Sequence, residues 1–369
     1  MAPPALLDYF LSAAKPRADW VIGAEVEKLG RDAQSGLPLP YEGPGASVRA
    51  VLEHLLERRG GSPVFEAEHL IGLDGPWGSI SLEPGGQVEW SSRPQPTLQL
   101  LAGELDAHLA ALAEAGRALG VRWLDVAVDP VHPVSAMRWM PKARYGIMRP
   151  FLGARGRLAH RMMTQTASIQ CAFDFSDPAD WRRKFKAAAL LAPVAVALFA
   201  NSSRVDGTDS GWRSFRTAIW RETDPDRCEL PPVVFEPAFD LERWVDWMLD
   251  VPTIFLRRCR GLVSADGVPF RRLIGQRGSS AHPMEDWENH VSTIFTDVRC
   301  YTYIEVRSAD LQPDARILAV PALWTGILYD DDACRAALEL GAGWNTHAAW
   351  REAMEQAARH GLDGRAAGR

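Results

Sequence analysis

The sequence lacks the patterns that mark several common classes of protein. Its five cysteines are odd in number, widely spaced and without a CxxC or histidine-rich pattern, which argues against structural zinc and a disulfide framework. Lysine and arginine are scattered and the formal net charge is −6, whereas a duplex-binding protein more often has a basic stripe. We therefore expect no nucleic-acid partner.

Long apolar segments are also missing. The longest apolar run, residues 187–200, contains Pro193 and is too short to span a bilayer, so we interpret it as a buried helix and expect no membrane association. Residues 1–4 lack the basic and apolar regions of a signal peptide. Together with the cysteine pattern, this predicts a reducing, cytoplasmic location.

The common nucleotide-binding and hydrolase motifs do not occur. The sequence has no Walker A motif, no GxGxxG after a strand, no GxSxG and no HExxH. Nucleotide binding, if it occurs, would therefore require a fold without a P-loop. With 369 residues, 47% of them hydrophobic, the chain can bury a large core in one large domain or in two closely packed domains.

Charged or amide side chains at a spacing of two residues, within apolar stretches, are the main feature that is present. They occur in residues 21–27, 80–90 and 301–307, and the polar side chains are Glu25, Glu27, Glu83, Gln87, Glu89, Glu305 and Arg307. Alternate residues of a strand share one face, so each stretch predicts a strand with one polar face. A fourth stretch, residues 166–170, alternates without charge.

Two interpretations of these strands remain open. Each polar face could simply be solvated. If the strands share one sheet, however, their carboxylates repel one another and need divalent cations to stay ionised. An all-oxygen ligand set suits Mg²⁺ or Mn²⁺, and Mg²⁺ suits a phosphate-bearing substrate.

Helices and further strands are predicted by periodicity and capping residues. We expect helices that begin after Ser47, Asp177 and Asp240, helices over residues 97–120 and 287–295, and a buried strand over residues 121–128. Residues 137–149 are basic with interleaved aromatic residues and methionines. They are either a half-buried helix with solvated arginines or an anion-binding segment beside an apolar pocket.

Several longer motifs follow one another along the chain. They are Gly23-x-Glu25-x-Glu27-Lys28, Ser81-Leu82-Glu83-Pro84-Gly85-Gly86-Gln87-x-Glu89, Met140-Pro141-Lys142-x-Arg144-Tyr145-x-Ile147-Met148-Arg149, Ala200-Asn201-Ser202, Ile219-Trp220-x-x-Thr223-Asp224-x-Asp226-Arg227, Asp286-Trp287-Glu288-Asn289-His290 and Glu305-x-Arg307-x-Ala309-Asp310. In this order, from about Leu6 to about Asp332, they resemble the plant-type glutamate-cysteine ligases, a family shared with many proteobacteria.

The resemblance implies an α+β fold of the glutamine-synthetase type, in which a curved, mainly antiparallel sheet forms a bowl with helices on its outer side. We expect one catalytic domain over residues 1–350, followed by a short helix end and a flexible tail over residues 351–369. The implied reaction uses ATP and Mg²⁺ or Mn²⁺. The γ-carboxylate of glutamate is phosphorylated, and the amine of cysteine attacks the acyl phosphate, which gives an amide, ADP and phosphate.

The resemblance also implies roles for single residues. The metal ligands are Glu25, Glu27, Glu89 and Glu305, with Glu83 and Gln170 as further ligands or neighbours of the metal. Arg307 would neutralise the transferring phosphoryl group, and we count Arg307 and Glu83 as the catalytic pair. Arg216 and Trp220 would bind glutamate, with Arg144, Tyr145, Met148 and Gln170 in the same pocket. Plainer interpretations remain for Arg216 as a surface ion pair, Trp220 as core, and His290 and Cys171 as structural residues.

Departures from the family leave the substrate open. Around the fourth strand the family tends to have Arg-Thr-Cys-Thr-Val-Gln-Val-Asn, whereas this chain has residues 165–172, QTASIQCA. The chain also ends soon after Trp350, where relatives continue, which could open the site or require a partner chain. We therefore keep two alternatives, a paralogue that joins glutamate or another amino acid to a different amine and an inactive binding protein on the same fold. We expect small-molecule partners and a monomer or homodimer.

Overall fold

The computed structural model describes residues 3–259, 261–274 and 283–365, and its central element is an eight-stranded sheet. The strands of the described residues, six of which lie outside this sheet, are β1 Ile22–Lys28, β2 Gly30–Asp32, β3 Ser62–Glu66, β4 His69–Gly75, β5 Gly78–Leu82, β6 Val88–Ser91, β7 Val121–Trp123, β8 Ser168–Phe173, β9 Arg204–Val205, β10 Thr208–Asp209, β11 Phe255–Arg258, β12 Gly261–Ser264, β13 Val298–Cys300 and β14 Ile304–Asp310. The sheet order is β13-β14-β8-β1-β6-β5-β4-β3, and every neighbouring pair is antiparallel.

The two faces of this sheet differ in polarity because its central strands alternate. In β1, Ile22, Ala24 and Val26 are buried on one face, while Glu25 and Glu27 lie on the other. Trp90 of β6 is on the apolar face, where its ring stacks on His108 at 5.1 Å between centroids. The sheet therefore has one face for the core and one face for a polar site.

Helices cover both faces. They are α1 Pro4–Leu11, α2 Val48–Arg59, α3 Leu98–Leu119, α4 Ala143–Gly153, α5 Ala159–Gln165, α6 Pro178–Phe199, α7 Phe215–Arg221, α8 Leu241–Asp250, α9 Phe270–Leu273, α10 Pro283–Val291, α11 Ala319–Leu328, α12 Asp331–Gly341 and α13 His347–His360. The helices α2, α3, α6 and α11 pack on the apolar face, whereas α4, α5 and α7 contribute side chains above the polar face.

The predicted helix starts are confirmed by their caps. The side chains of Ser47, Thr97, Asp177 and Asp240 each accept a hydrogen bond from a backbone N–H in the first turn of α2, α3, α6 and α8. The apolar run at residues 187–200 lies in α6, as predicted, and Pro193 is inside this helix. No helix within the described ranges is long and apolar enough to cross a membrane.

Three predicted elements are shorter in the structure. Only Val121–Trp123 of residues 121–128 is a strand, paired with β2, because Val128 makes an isolated bridge to Thr166 instead. In residues 137–149, the helix begins only at Ala143, since Pro141 disfavours helical conformation in the residue before it. The helix predicted over residues 287–295 ends at Val291.

The buried hydrophobic residues form one cluster that extends from Leu6 to Ala358. The C-terminal helix α13 belongs to it, because Trp350 is buried and its indole N–H donates to the carbonyl oxygen of Ala189 in α6 at 2.8 Å. The predicted boundary at residue 350 falls within this helix. Of the predicted tail, residues 366–369 lie outside the described residues.

Candidate active site

The predicted acidic strands are neighbours in the sheet, and their register brings the carboxylates together. Glu27 of β1 lies directly opposite Glu89 of β6, and Glu25 lies directly opposite Gln170 of β8. Side chains of directly opposed residues have Cβ atoms about 5 Å apart. Glu305 is one strand further along, opposite Ala172 of β8. Of the two interpretations left open by the sequence, the structure therefore supports the one in which these strands share one sheet and their carboxylates cluster on one face.

A main cavity of about 260 Å³ lies above this face. Of the predicted site residues, it is lined by Glu25, Glu27, Glu83, Gln87, Glu89, Arg144, Tyr145, Met148, Gln170, Trp220 and Arg307. Its remaining walls include Met162 and Met163 of α5, Phe295 and Arg299. Glu305 and Arg216 do not line it, and both are buried beside it.

Three carboxylates of the main cavity have raised pKa values, because burial and repulsion by neighbouring carboxylates outweigh the nearby cationic side chains. Burial, together with the nearby charge of Glu305, raises the pKa of Glu25 to about 8. Burial and the charge of Glu83 raise the pKa of Glu27 to about 7. Burial and the charge of Glu25 raise the pKa of Glu89 well above its ordinary value. Clustered carboxylates with pKa values raised in this way favour a cation, whose charge would stabilise their ionised forms.

Glu305 has a different environment. Burial favours its neutral form, but the guanidinium charges of Arg299 and Arg307 outweigh burial and lower its pKa. Arg299 is its cross-strand partner on β13 and donates to both of its carboxylate oxygens. Arg307 donates to it at 3.3 Å and also donates to Oε1 of Gln170. The carboxylate of Glu305 is therefore already paired.

Sequence reasoning missed Arg299, although a signal was available. Val298, Arg299 and Cys300 alternate between apolar and polar just before the Glu305 strand. A short turn between two such stretches is typical of a hairpin, but three alternating residues do not fix the register that places Arg299 opposite Glu305.

These side chains could supply only some of the ligands that a divalent cation needs. Among the described residues, no group of three or more His, Cys, Asp or Glu side chains is arranged to hold a metal ion. Mg²⁺, however, is usually held by one or two carboxylates plus phosphate oxygens and water. The opposed pair Glu27 and Glu89, with Glu25 beside them, matches that requirement in chemistry and in charge.

Within the described residues, three buried N–H donors in or beside the main cavity have no acceptor. Arg216 is buried on α7, where its Nη2 donates to the carbonyl oxygen of Arg307 at 3.1 Å while its Nε has no acceptor. The Trp220 indole N–H and Nε of Arg144 are also buried without an acceptor. Buried donors without partners are costly, so this end of the cavity suits an anionic ligand. Arg216 is not the surface ion pair of the plainer interpretation.

Asp310 of β14 fixes the start of α7. Its Oδ2 accepts from the backbone N–H of Asn201 at 2.8 Å and from the Ser202 hydroxyl at 2.7 Å, and its Oδ1 accepts from the Ser214 hydroxyl at 3.0 Å. The Ser202 oxygen in turn accepts from the backbone N–H of Arg216 at 3.1 Å. Through these contacts, Asn201, Ser202 and Asp310 together position helix α7, which carries Arg216 and Trp220.

The Pro84-Gly85-Gly86 bend closes another side of the main cavity. A Cβ atom at Gly85 would lie 2.2 Å from the carbonyl oxygen of Thr164, and Gly86 has a φ of +85°, so both positions require glycine. The amide of Gln87 donates to the carbonyl oxygens of Met163 and Thr166 and accepts from the N–H of Gly85. Gln87 thus holds the bend, and Glu83 faces the cavity at its start.

A second cavity of about 400 Å³ continues along the same sheet face. It shares Glu25 and Gln170 with the main cavity, and its other walls include Lys15, Pro94, Asp174 and Tyr303. The two cavities therefore meet at the carboxylates.

Two residues have structural contacts only. His290 is buried, its Nε2 lies 2.7 Å from the carbonyl oxygen of Met248, and burial lowers its pKa to about 3. Cys171 is buried on the apolar face of β8.

Comparisons with known proteins agree with this geometry. The family model of glutamate-cysteine ligase family 2 matches residues 21–369. The chain is 37% identical to the chloroplastic glutamate-cysteine ligase B of Oryza sativa subsp. japonica over 343 residues, 92% of this chain and 68% of that protein. It is 38% identical to the chloroplastic glutamate-cysteine ligase of Medicago truncatula, which covers 92% of this chain and 67% of that protein.

Solved structures support the fold. A glutamate-cysteine ligase from Francisella tularensis in complex with AMP superposes with a TM-score of 0.57 at 12% identity, covering 94% of this chain and 72% of that chain. A bifunctional glutathione synthetase from Pasteurella multocida gives a TM-score of 0.52 at 12% identity, covering 93% and 43%. The predicted α+β class with a large antiparallel sheet is confirmed.

Proposed function

Because the chain belongs to glutamate-cysteine ligase family 2, we propose that it is an ATP-dependent ligase that joins the γ-carboxylate of L-glutamate to the amine of L-cysteine. The product would be γ-glutamylcysteine, the first intermediate on the route to glutathione. The observation that carries the proposal is the charge distribution of the main cavity. Carboxylates with raised pKa values line its floor, and buried guanidinium and indole donors without acceptors lie beside it.

The unpaired donors suit the α-carboxylate of glutamate. The proposal places this group against Arg216 and Trp220, which leaves the γ-carboxylate over the sheet floor near Gln170 and Arg307. Placing the reacting carboxylate at a fixed site supplies much of the rate enhancement, because the reaction then requires no search for orientation.

Glu25, Glu27 and Glu89 would hold Mg²⁺ together with phosphate oxygens of ATP. The bound ion would neutralise phosphate charge and polarise the transferring phosphoryl group. Glu305 is held by Arg299 and Arg307, so we assign it a different contribution from the one implied by the family resemblance. It fixes the Arg307 guanidinium, which can then stabilise the charge of the phosphoryl group during transfer to the γ-carboxylate.

The second cavity suits the nucleotide, since it meets the main cavity at Glu25 and Gln170. Its volume lies in the range of small-molecule sites. ATP bound there would direct its phosphates toward the carboxylates, and glutamate would approach them from the main cavity.

The incoming amine must be neutral to attack the acyl phosphate. We assign the amine to the side of the main cavity formed by Tyr145, Met148 and the bend, and Glu83 is the carboxylate on that side. Glu83 would accept the proton that the amine loses as the amide forms.

The test is ADP release from ATP and Mg²⁺ with L-glutamate, without and with L-cysteine, while the product mass is recorded. We expect cysteine-dependent ADP release and a γ-glutamylcysteine mass. ADP release that requires a different amine or acid would instead identify the specialised paralogue. No release with any member of an amino-acid panel would contradict the proposal and favour the inactive binding protein.

A further inference from the structure

A small cavity lies beside the unpaired donors of the main cavity. Its volume is about 20 Å³, and it shares Trp220, Phe295 and Arg307 with the main cavity. Such a volume holds one group of about the size of a water molecule. Arg216 and Asp297 also line it, so a guanidinium and a carboxylate face the same small space.

The register of the sheet places Asp297 at this position. Val298 pairs with Val306 and Arg299 pairs with Glu305, and the backbone N–H of Arg307 donates to the carbonyl oxygen of Asp297 at 2.9 Å. Asp297 therefore lies opposite Arg307. Because alternate residues share a face, its side chain is on the same face as that of Arg299, which is the face of the cavities.

The carboxylate of Asp297 has no partner among the described side chains. Within the described residues, no side chain makes a hydrogen bond or an ion pair with it. Burial and the charge of Glu229 raise its pKa to about 7, against the opposing charges of Arg216 and Arg221. Glu229 lines the same cavity but is already paired with Arg351 at 2.7 Å and with Arg221 at 3.5 Å. Glu229 therefore has ion-pair partners, whereas Asp297 makes no ion pair with a described residue.

We propose that Asp297 binds the α-ammonium group of the acid substrate, so that the site selects α-amino dicarboxylates over dicarboxylates without an amino group. An α-amino acid carries its ammonium and carboxylate on one carbon atom. A site for it needs an anion and N–H donors around one small space, and Asp297, Arg216 and Trp220 all line the small cavity. The inference rests on the proposed function and adds to it the residue that binds the ammonium group of the acid substrate.

The experiment compares L-glutamate with glutarate, which has the same chain length and both carboxylates but no amino group. ADP release is measured for the wild type, D297N and D297E. We expect the wild type to prefer L-glutamate strongly. D297N should lose roughly 10- to 100-fold in kcat/KM for L-glutamate, the usual effect of removing a charged hydrogen-bond partner, with little change for glutarate or in KM for ATP. D297E, which keeps the charge, should retain most of the preference.

The matched control is E229Q, because it removes a carboxylate of the same cavity that is already paired. The ratio of kcat/KM for L-glutamate to that for glutarate should stay unchanged in this variant. The proposal is wrong if D297N lowers kcat/KM equally for both acids or changes neither. Equal losses would mean that Asp297 acts only on the structure of the site.

A binding measurement separates this inference from the proposed function. The thermal shift caused by each acid is recorded in the presence of Mg²⁺ and a non-hydrolysable ATP analogue. A shift with L-glutamate that is absent with glutarate, and is lost in D297N, would support the ammonium site even if the wild type released no ADP. The absence of a shift with L-glutamate in the wild type would overturn both.

Discussion

Replacing Glu25 with glutamine should stabilise the protein without Mg²⁺ while it removes turnover. The Glu25 carboxylate lies where the two cavities meet and has a pKa of about 8 because of burial and the charge of Glu305. In the unfolded chain its pKa is about 4.3. Since the folded pKa is higher, the contribution to stability is fully present below pH 4 and is lost as pH rises through 8.

The size of the effect follows from the two pKa values. Linkage gives a destabilisation of wild type relative to E25Q of about 1 kcal/mol at pH 5, about 4 kcal/mol at pH 7 and at most about 5 kcal/mol at pH 9. These are upper values, because the side chain reaches a cavity that water can enter. For a chain of this size the difference in Tm should grow from about 1 °C at pH 5 to roughly 6 °C at pH 9.

The assay is thermal unfolding in EDTA between pH 5 and pH 9 for wild type and E25Q. The exposed Glu339 on α12 supplies the control, and E339Q should differ from wild type by less than about 0.5 kcal/mol at every pH. Mg²⁺ with an ATP analogue should stabilise the wild type more than E25Q. A Tm difference that does not depend on pH would refute the reasoning, because an ionising buried carboxylate would then not be its source.

Three further substitutions test other parts of the site. R216A should raise KM for L-glutamate by roughly 100-fold and leave KM for ATP nearly unchanged, because it removes a charged donor from the acid end of the cavity alone; equal effects on both would place Arg216 outside the acid subsite. E305Q leaves two buried guanidinium groups without their counter-charge, so it should reduce the free energy of unfolding by about 3 kcal/mol and kcat by at least 100-fold. Unaltered stability in a denaturant titration would show that the ion pairs do not form. D310N should raise KM for L-glutamate and speed hydrogen exchange across residues 215–221, because its amide nitrogen cannot accept the bonds from Asn201 and Ser202; exchange at the wild-type rate would contradict the role of Asp310.

Much of the polar face was predictable because a strand has a period of two residues. The position of Glu25 and Glu27 on one face of their strand follows from alternation alone, and the helix starts follow from their caps. The pairing of Glu27 with Glu89 does not follow, since register depends on the bend at residues 84–86 and on contacts between distant strands. The residue roles, the cytoplasmic location and the oligomeric state stay predictions.

The ion pairs of Glu305 and the position of Asp297 were beyond sequence reasoning for a related reason. Both depend on the hairpin of β13 with β14, which aligns Arg299 with Glu305 and Asp297 with Arg307. A short apolar and polar alternation of three residues is too weak a signal to predict a register.

The same geometry argues against an inactive binding protein. Three carboxylates with raised pKa values make no ion pair with a described residue, and they destabilise the fold near neutral pH. Glutamine at these positions would keep the strands and remove that cost, and Gln170 shows that an amide is accommodated on the same floor. A protein that kept only the fold would gain stability from such replacements. The retained charge is therefore better explained by a ligand that needs it, and the proposed function supplies such a ligand in a metal-bound phosphate.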